Sequence, residues 1–98
     1  MATTYILYSK KIDSYYTGSC LDLKSRLQEH INNKYEKSFT KKADDWIVFL
    51  KINNLEYSQA RNIEKHIKKM KSKIYITNLI KYPEIIEKLT LKYKNITP

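Results

Sequence analysis

The chain has 98 residues, 42% of them hydrophobic and 12% aromatic, which is enough for one small core and excludes a wholly disordered chain. Its 19 lysines and arginines against 10 aspartates and glutamates give a net charge of +9, which favours nucleic acid as a partner over an anionic membrane surface or a role in solubility alone. No apolar run reaches the roughly 18 residues of a membrane-spanning helix, and the first residues predict no secretion signal.

Two short β-prone runs open the chain and predict a hairpin. The runs Tyr5–Tyr8 and Tyr15–Thr17 are separated by the mostly polar residues 10–14, a spacing typical of two antiparallel strands. Gly18 follows the second run and is the only glycine in the chain. Glycine is used where a backbone takes a positive φ or passes close to another group. We therefore expect Gly18 to end the second strand and to leave room for a phosphate or a neighbouring residue.

The pattern then changes to a helix, a basic loop and a third strand. Apolar residues recur every fourth position from Leu23 to Ile31, which predicts an amphipathic helix with Asp22 in its first turn. Residues 34–45 are polar and rich in lysine, as in a loop. The run Trp46–Ile52 is nearly continuous in apolar residues, which predicts a strand at the centre of the sheet.

The rest of the chain is helical. We expect Ser58 to cap a helix whose buried stripe runs from Ala60 to Met70, and a further helix over residues 73–81. Pro83 is then suited to start a last short helix.

The predicted order is β-β-α-β-α-α plus a short C-terminal helix. This order indicates an α+β fold, with a small three-stranded antiparallel sheet flanked by helices. We expect residues 1–82 to form the functional domain and residues 83–98 to be a helix and tail that pack on it or fray from it. Cys20 is the only cysteine, so an internal disulfide is excluded and a reducing, cytoplasmic setting is predicted.

One face of the first helix is suited to bind phosphate. Arg26 and His30 are four residues apart, one helical turn, and flank the same apolar stripe. The arginine fork matches a phosphate with two hydrogen bonds and does not lose its charge. Taken singly, an arginine such as Arg26 is more often a solvated helix residue, and a histidine such as His30 more often forms structural hydrogen bonds.

A carboxylate on the second main helix is a candidate metal ligand. Glu64 lies at the edge of the predicted buried stripe, where it can face a cleft. Magnesium commonly takes only one or two protein carboxylates and completes its shell with water and substrate phosphate. The alternative is an exposed ion pair between Glu64 and Lys68 at i,i+4 spacing.

The order and spacing of these residues resemble the GIY-YIG endonuclease domain, in particular small single-domain proteins related to the excision-repair nuclease subunit. The family's Tyr-Ile-Gly element stands here as Tyr16-Thr17-Gly18, and its Gly-Ile-Tyr element as Thr3-Thr4-Tyr5, with only the tyrosine kept. Arg26, His30 and Glu64 fall at matching positions, and Asn78 is the nearest candidate for a late polar residue. The resemblance covers roughly residues 3–82.

The resemblance implies a metal-dependent DNA endonuclease that is structure-directed or weakly sequence-specific, with a role in repair or recombination. It implies that one of the two tyrosines, Tyr5 in preference to Tyr16, takes a proton from the attacking water. Arg26 and His30 would act on the phosphate, and Glu64 would hold Mg²⁺ or Mn²⁺. Arg26 and the metal would lower the pKa of the tyrosine.

Two alternatives belong to other classes of protein. The loss of Gly-Ile from the first motif is compatible with a non-catalytic nucleic-acid-binding module on the same scaffold. Charge alone is compatible with a small basic protein that binds RNA or ribosomes.

Several lysines are candidates for phosphate contacts that position DNA, branched or damaged, without reading its sequence. A protein partner could supply specificity, because no additional DNA-reading segment is evident. The candidate lysines are Lys41 and Lys42 in the basic loop, and Lys68, Lys69, Lys71 and Lys73 near the end of the second main helix.

Overall fold

Three antiparallel strands and four helices form the part of the chain that the computed structural model describes, which is residues 1–31 and 42–94 without the side chains of residues 29–31. The strands pair in the spatial order second, first, third. The α+β class and the element order predicted from the sequence are confirmed. The elements are β1 (Ala2–Ser9), β2 (Ser14–Cys20), α1 (Leu23–Ile31), β3 (Ile47–Leu55), α2 (Tyr57–Met70), α3 (Lys73–Lys81) and α4 (Glu84–Lys92).

The central strand is β1, which pairs with β2 on one side and β3 on the other. The prediction that β3 is central was wrong. The side chains of β1 enter two cores, with Ile6 on one face of the sheet and Tyr5 and Leu7 on the other. The apolar run of β3 instead starts at the surface, where Ile47 is 61% exposed and Val48 39% exposed. A continuous apolar run does not by itself distinguish a central strand from an edge strand.

Two separate cores hold the helices on opposite faces of the sheet. On one face, α2, α3 and α4 pack on β1 and β3 through a large aliphatic cluster. On the other face, α1 packs through Leu23 and Leu27 on a smaller cluster of Tyr5, Leu7 and Cys20. No helix in the two described ranges has the length and hydropathy needed to cross a bilayer. The large cluster comprises Ala2, Ile6, Ile52, Leu55, Ala60, Ile63, Ile67, Ile76, Leu79 and Leu89.

The start of α2 differs from the sequence prediction. Glu56, not Ser58, is the N-cap, and it forms a capping box with Gln59. The Gln59 side chain accepts a hydrogen bond of 3.0 Å from the Glu56 backbone N–H and donates one of 2.7 Å to the Thr90 carbonyl of α4. At the other end, Met70 is 45% exposed, so the predicted buried stripe stops before it.

Gly18 lies inside β2 and does not end it, contrary to the prediction. It is the ladder partner of Tyr5 on β1, and its φ is not positive. A Cβ atom on Gly18 would lie 2.5 Å from Tyr5 Oη and 2.6 Å from Tyr5 Cζ. The glycine is therefore needed for space: the buried Tyr5 phenol crosses β2 where a side chain would otherwise stand.

Replacing Gly18 with alanine should destabilise the protein, because the added methyl group would overlap the Tyr5 ring. We expect the free energy of unfolding to fall by about 1–3 kcal/mol, the usual cost of overpacking a core. In a Tyr5→Leu background the same replacement should cost roughly half as much or less, because no ring then covers position 18. Urea denaturation of the four proteins of this double-mutant cycle measures the difference. Equal costs in both backgrounds would show that Gly18 serves β2 and not Tyr5.

Candidate active site

A polar pocket of about 260 Å³ lies at the outer edge of β2. It receives side chains from α1 on one face of the sheet and from α2 on the other, which is feasible because β2 is an edge strand. Five of the residues singled out from the sequence line this pocket, and they come from four different elements. They are Tyr5, Tyr16, Gly18, Arg26 and Glu64.

The other predicted site residues lie elsewhere or outside the described part of the chain. His30 falls in α1, but its side chain is not described, and Lys41 lies outside the described residues. Asn78 lies in α3, where its carbonyl accepts a hydrogen bond of 2.7 Å from the Tyr82 backbone, and it does not line the pocket. The structure thus brings together the motif residues of the hairpin, α1 and α2 but not Asn78.

Tyr5 reaches the pocket from the centre of the sheet. Tyr5 is 1% exposed, and its ring centroid lies 6.5 Å from that of Tyr16. Burial, followed by the proximity of Tyr16, raises the pKa of the Tyr5 hydroxyl well above its usual range, although Arg26 acts to lower it. The resemblance implies that Arg26 and a bound metal lower the pKa of the tyrosine, but in the structure desolvation of Tyr5 outweighs the effect of Arg26. Without bound metal or nucleic acid, Tyr5 is a neutral phenol that can donate a hydrogen bond.

Glu64 is held at the pocket wall by two neighbours. Ser19 Oγ donates a short hydrogen bond to Oε1, and Lys68 Nζ lies 2.6 Å from Oε2. The carboxylate side chain is 20% exposed and that of Lys68 49% exposed. The ion pair considered as an alternative from the sequence is therefore present, yet the carboxylate still lines the pocket.

The donor set at Glu64 fits a hard divalent cation of the magnesium type. Each carboxylate oxygen has two lone pairs, so Oε1 can accept from Ser19 and still offer an electron pair. No cluster of three or more His, Cys, Asp or Glu side chains occurs in residues 1–31 and 42–94, as far as their side chains are described. Any ion here would depend on one carboxylate, on water and on a substrate oxygen, which is the way magnesium is commonly held.

Arg61 and Tyr57, which were not predicted from the sequence as site residues, also line the pocket. Arg61 Nη1 donates a hydrogen bond of 3.3 Å to Tyr57 Oη, and its guanidinium carbon lies 5.7 Å from the Tyr57 ring centroid. The hydrogen bond to Tyr57 raises the pKa of Arg61 above its already high value. The signal that could have found them is helical spacing: positions three and seven before Glu64 share its face of α2.

The predicted phosphate-binding lysines lie on more than one part of the surface: Lys68, Lys71 and Lys73 line one groove, and Lys69 lies outside it. Lys73 Nζ is bound to Asp13, 2.7 Å from its carbonyl oxygen and 3.0 Å from Oδ2. Lys69 lines a separate hollow beside α4 together with His66. Lys42 and Lys71 are exposed. Lys68 is in direct contact with the pocket residue Glu64.

One family model, described as the GIY-YIG catalytic domain, matches residues 1–79 of the chain. The match includes β1 to α2 and nearly all of α3, and therefore every residue that lines the pocket. No curated protein and no solved structure matches the chain.

The Tyr5 hydroxyl should stay protonated to a higher pH than an ordinary tyrosine, because burial disfavours the phenolate. With tyrosine labelled at ¹³Cζ, the NMR signal that disappears in Tyr5→Phe identifies this residue. Its chemical shift should remain constant through pH ~10, the ordinary midpoint for tyrosine. A transition of the Tyr5 signal centred near that pH would show that the ring is solvated and not enclosed beneath β2.

Proposed function

The chain belongs to the GIY-YIG catalytic-domain family, and on that premise we propose that it is a metal-dependent endonuclease that hydrolyses phosphodiester bonds in DNA. The observation that carries the proposal is that Tyr5, Arg26 and Glu64 line one polar pocket at the edge of β2. We propose further that it acts on DNA shape or with weak sequence preference, in repair or recombination, as a relative of the excision-repair nuclease subunit.

Arg26 and Arg61 would bind the phosphate to be cleaved. They enter the pocket from α1 and α2, that is, from opposite faces of the sheet. Two guanidinium groups on either side of one phosphate can hold its oxygens and offset the charge that builds up in the transition state. Tyr57 would help to orient Arg61 for this role, because it accepts a hydrogen bond from Arg61 Nη1 and its ring lies beside the guanidinium group.

Tyr5 and Tyr16 would handle the proton of the attacking water. In the protein alone the raised pKa of Tyr5 makes it a donor, so its use as a base requires added positive charge close to the hydroxyl. The phosphate-binding arginines supply part of that charge. Tyr16, whose ring lies beneath the Lys68 ammonium at 5.7 Å, would orient the water beside it.

Glu64 would hold Mg²⁺ or Mn²⁺, with Ser19 fixing the orientation of the carboxylate. When bound, such an ion supplies charge stabilisation for the phosphoryl oxygens and acidifies a bound water. The Lys68 ammonium would then leave Oε2 and become available to the substrate backbone.

The altered first motif does not remove a pocket residue. Thr3 and Thr4 stand where the family has Gly and Ile, and both are buried. Thr4 Oγ1 donates a hydrogen bond of 2.7 Å to the Ala60 carbonyl of α2, and Thr3 Oγ1 donates one of 3.2 Å to Asn53 of β3. These contacts join β1 to its neighbours, so the change from the family pattern concerns packing more than chemistry.

A second candidate function is a nucleic-acid-binding module without catalysis. It is favoured by the two existing partners of Glu64, Ser19 and Lys68, which give the carboxylate a structural role. In that case the pocket would bind a phosphate without cleaving it.

The substitution Glu64→Gln should abolish most cleavage, because the neutral amide is a poor ligand for a hard cation. Nicking of supercoiled plasmid and of branched DNA in Mg²⁺ or Mn²⁺ should fall about 10²-fold or more, and EDTA should stop it in the wild type. Glu87→Gln on α4 is the matched control and should nick normally. DNA binding without cleavage in either metal would establish the binding module instead.

Replacing Arg61 with glutamine should weaken substrate binding by about 3–10-fold, as expected for one lost phosphate contact of about 1 kcal/mol. KM for a short branched DNA should rise more than kcat falls, because Arg61 is exposed at the rim of the pocket. Lys65→Gln on the same helix removes one charge away from the pocket and should have a smaller effect. The same loss in both variants would assign Arg61 to general attraction alone.

A further inference from the structure

A groove of about 430 Å³ lies beside the pocket, between β2 and the junction of α2 and α3. Its floor is apolar, formed by Tyr15, Ile67 and Ile76. Its rim is basic, formed by Lys68, Lys71 and Lys73. A small volume with an apolar floor and a cationic rim fits one flat, hydrophobic ring system that carries phosphate at its edge.

The groove shares a wall with the pocket. Tyr16 lines both, and Lys68 on the groove rim is bonded to Glu64 on the pocket wall. A nucleic-acid strand whose phosphate occupies the pocket would therefore present its neighbouring nucleotide to the groove. The charge of this nucleotide's phosphate is complementary to the rim.

Within the rim, Lys71 forms no ion pair with a carboxylate of residues 1–31 or 42–94. Lys68 is paired with Glu64, and Lys73 with Asp13. Lys71 stands at the end of α2 with φ 46° and ψ 40°, the left-handed conformation in which glycine is the usual residue. Lys71 thus occupies a backbone conformation that favours glycine, at a position where its ammonium group can reach the groove.

We propose that the groove binds one unpaired nucleotide of the substrate strand next to the phosphate in the pocket, with the base on the apolar floor and the adjoining phosphate on Lys71. The proposal rests on the function proposed above and names its substrate class: single-stranded or branched DNA is preferred over continuous duplex. In a duplex the two faces of each base are covered by its neighbours, so a duplex can touch the rim but cannot place a base on the floor.

Binding to short DNA strands without metal tests the role of the base. A fluorescently labelled single-stranded 12-mer, a 12-mer of the same charge made only of abasic residues, and a blunt duplex of the same length are compared by anisotropy in EDTA. We expect the intact strand to bind at least about fivefold more tightly than either competitor, because base stacking on aromatic and apolar side chains is lost in both. Equal binding of the intact and abasic strands overturns the proposal.

Lys71→Gly tests the rim without a cost in folding, because glycine suits the left-handed backbone at this position. Its Tm should equal or exceed that of the wild type, while the affinity for the intact strand should fall about 3–10-fold. Lys88→Gln, an exposed lysine of α4 outside the groove, removes the same charge and should change the affinity less than about twofold. An equal effect of the two variants would mean general charge attraction and overturn the proposal.

These outcomes separate the groove from the catalytic proposal. Metal-dependent nicking together with equal binding of intact and abasic strands would support the endonuclease and refute nucleotide binding in the groove. Base-dependent binding without nicking would support the groove on a non-catalytic module. Neither nicking nor base-dependent binding would refute both.

Discussion

The crossing of the Tyr5 phenol over Gly18 is the constraint on which the candidate site depends. Tyr5 is fixed on the central strand by ladders on both sides, so its side chain can reach the outer edge of the sheet only by passing over β2. A Cβ at position 18 would lie 2.6 Å from Tyr5 Cζ, so any other residue type would force the ring or the strand to move. The single glycine of the chain therefore lets a residue of the core take part in a surface pocket.

The position of the pocket at an edge strand explains how so small a protein can surround a phosphate. A site on one face of the sheet would receive side chains from one helical layer only. Here Arg26 comes from α1 and Arg61 from α2, and the thin edge of β2 lies between them. Glu64 with its partner Lys68 adds little net charge, so the two arginines leave the pocket positive overall.

The fold was largely predictable from the sequence because local patterns dominate it: the hairpin, the helical periods and α3 all follow from neighbours in the chain. The central position of β1 was not, since the run of β3 looks equally apolar and pairing depends on contacts remote in sequence. The motif residues that line the pocket could be identified from the sequence. The contact of Lys73 with Asp13 could not, because the two residues are 60 positions apart. Arg61 was not predicted because only its spacing of three residues from Glu64 distinguishes it from an ordinary exposed helical arginine.

An edge strand also has backbone groups on its outer side that are not paired with another strand. Along β2, alternate N–H groups point away from β1, and within the described ranges no strand pairs with that outer side. These amides should exchange their hydrogens with solvent faster than their inward-facing neighbours, residue by residue. A ligand seated at the edge would slow that exchange at every second position from Ser14 to Cys20. Amide hydrogen exchange along β2 therefore reports whether a ligand is bound at this edge, and it can be measured in the unmodified protein.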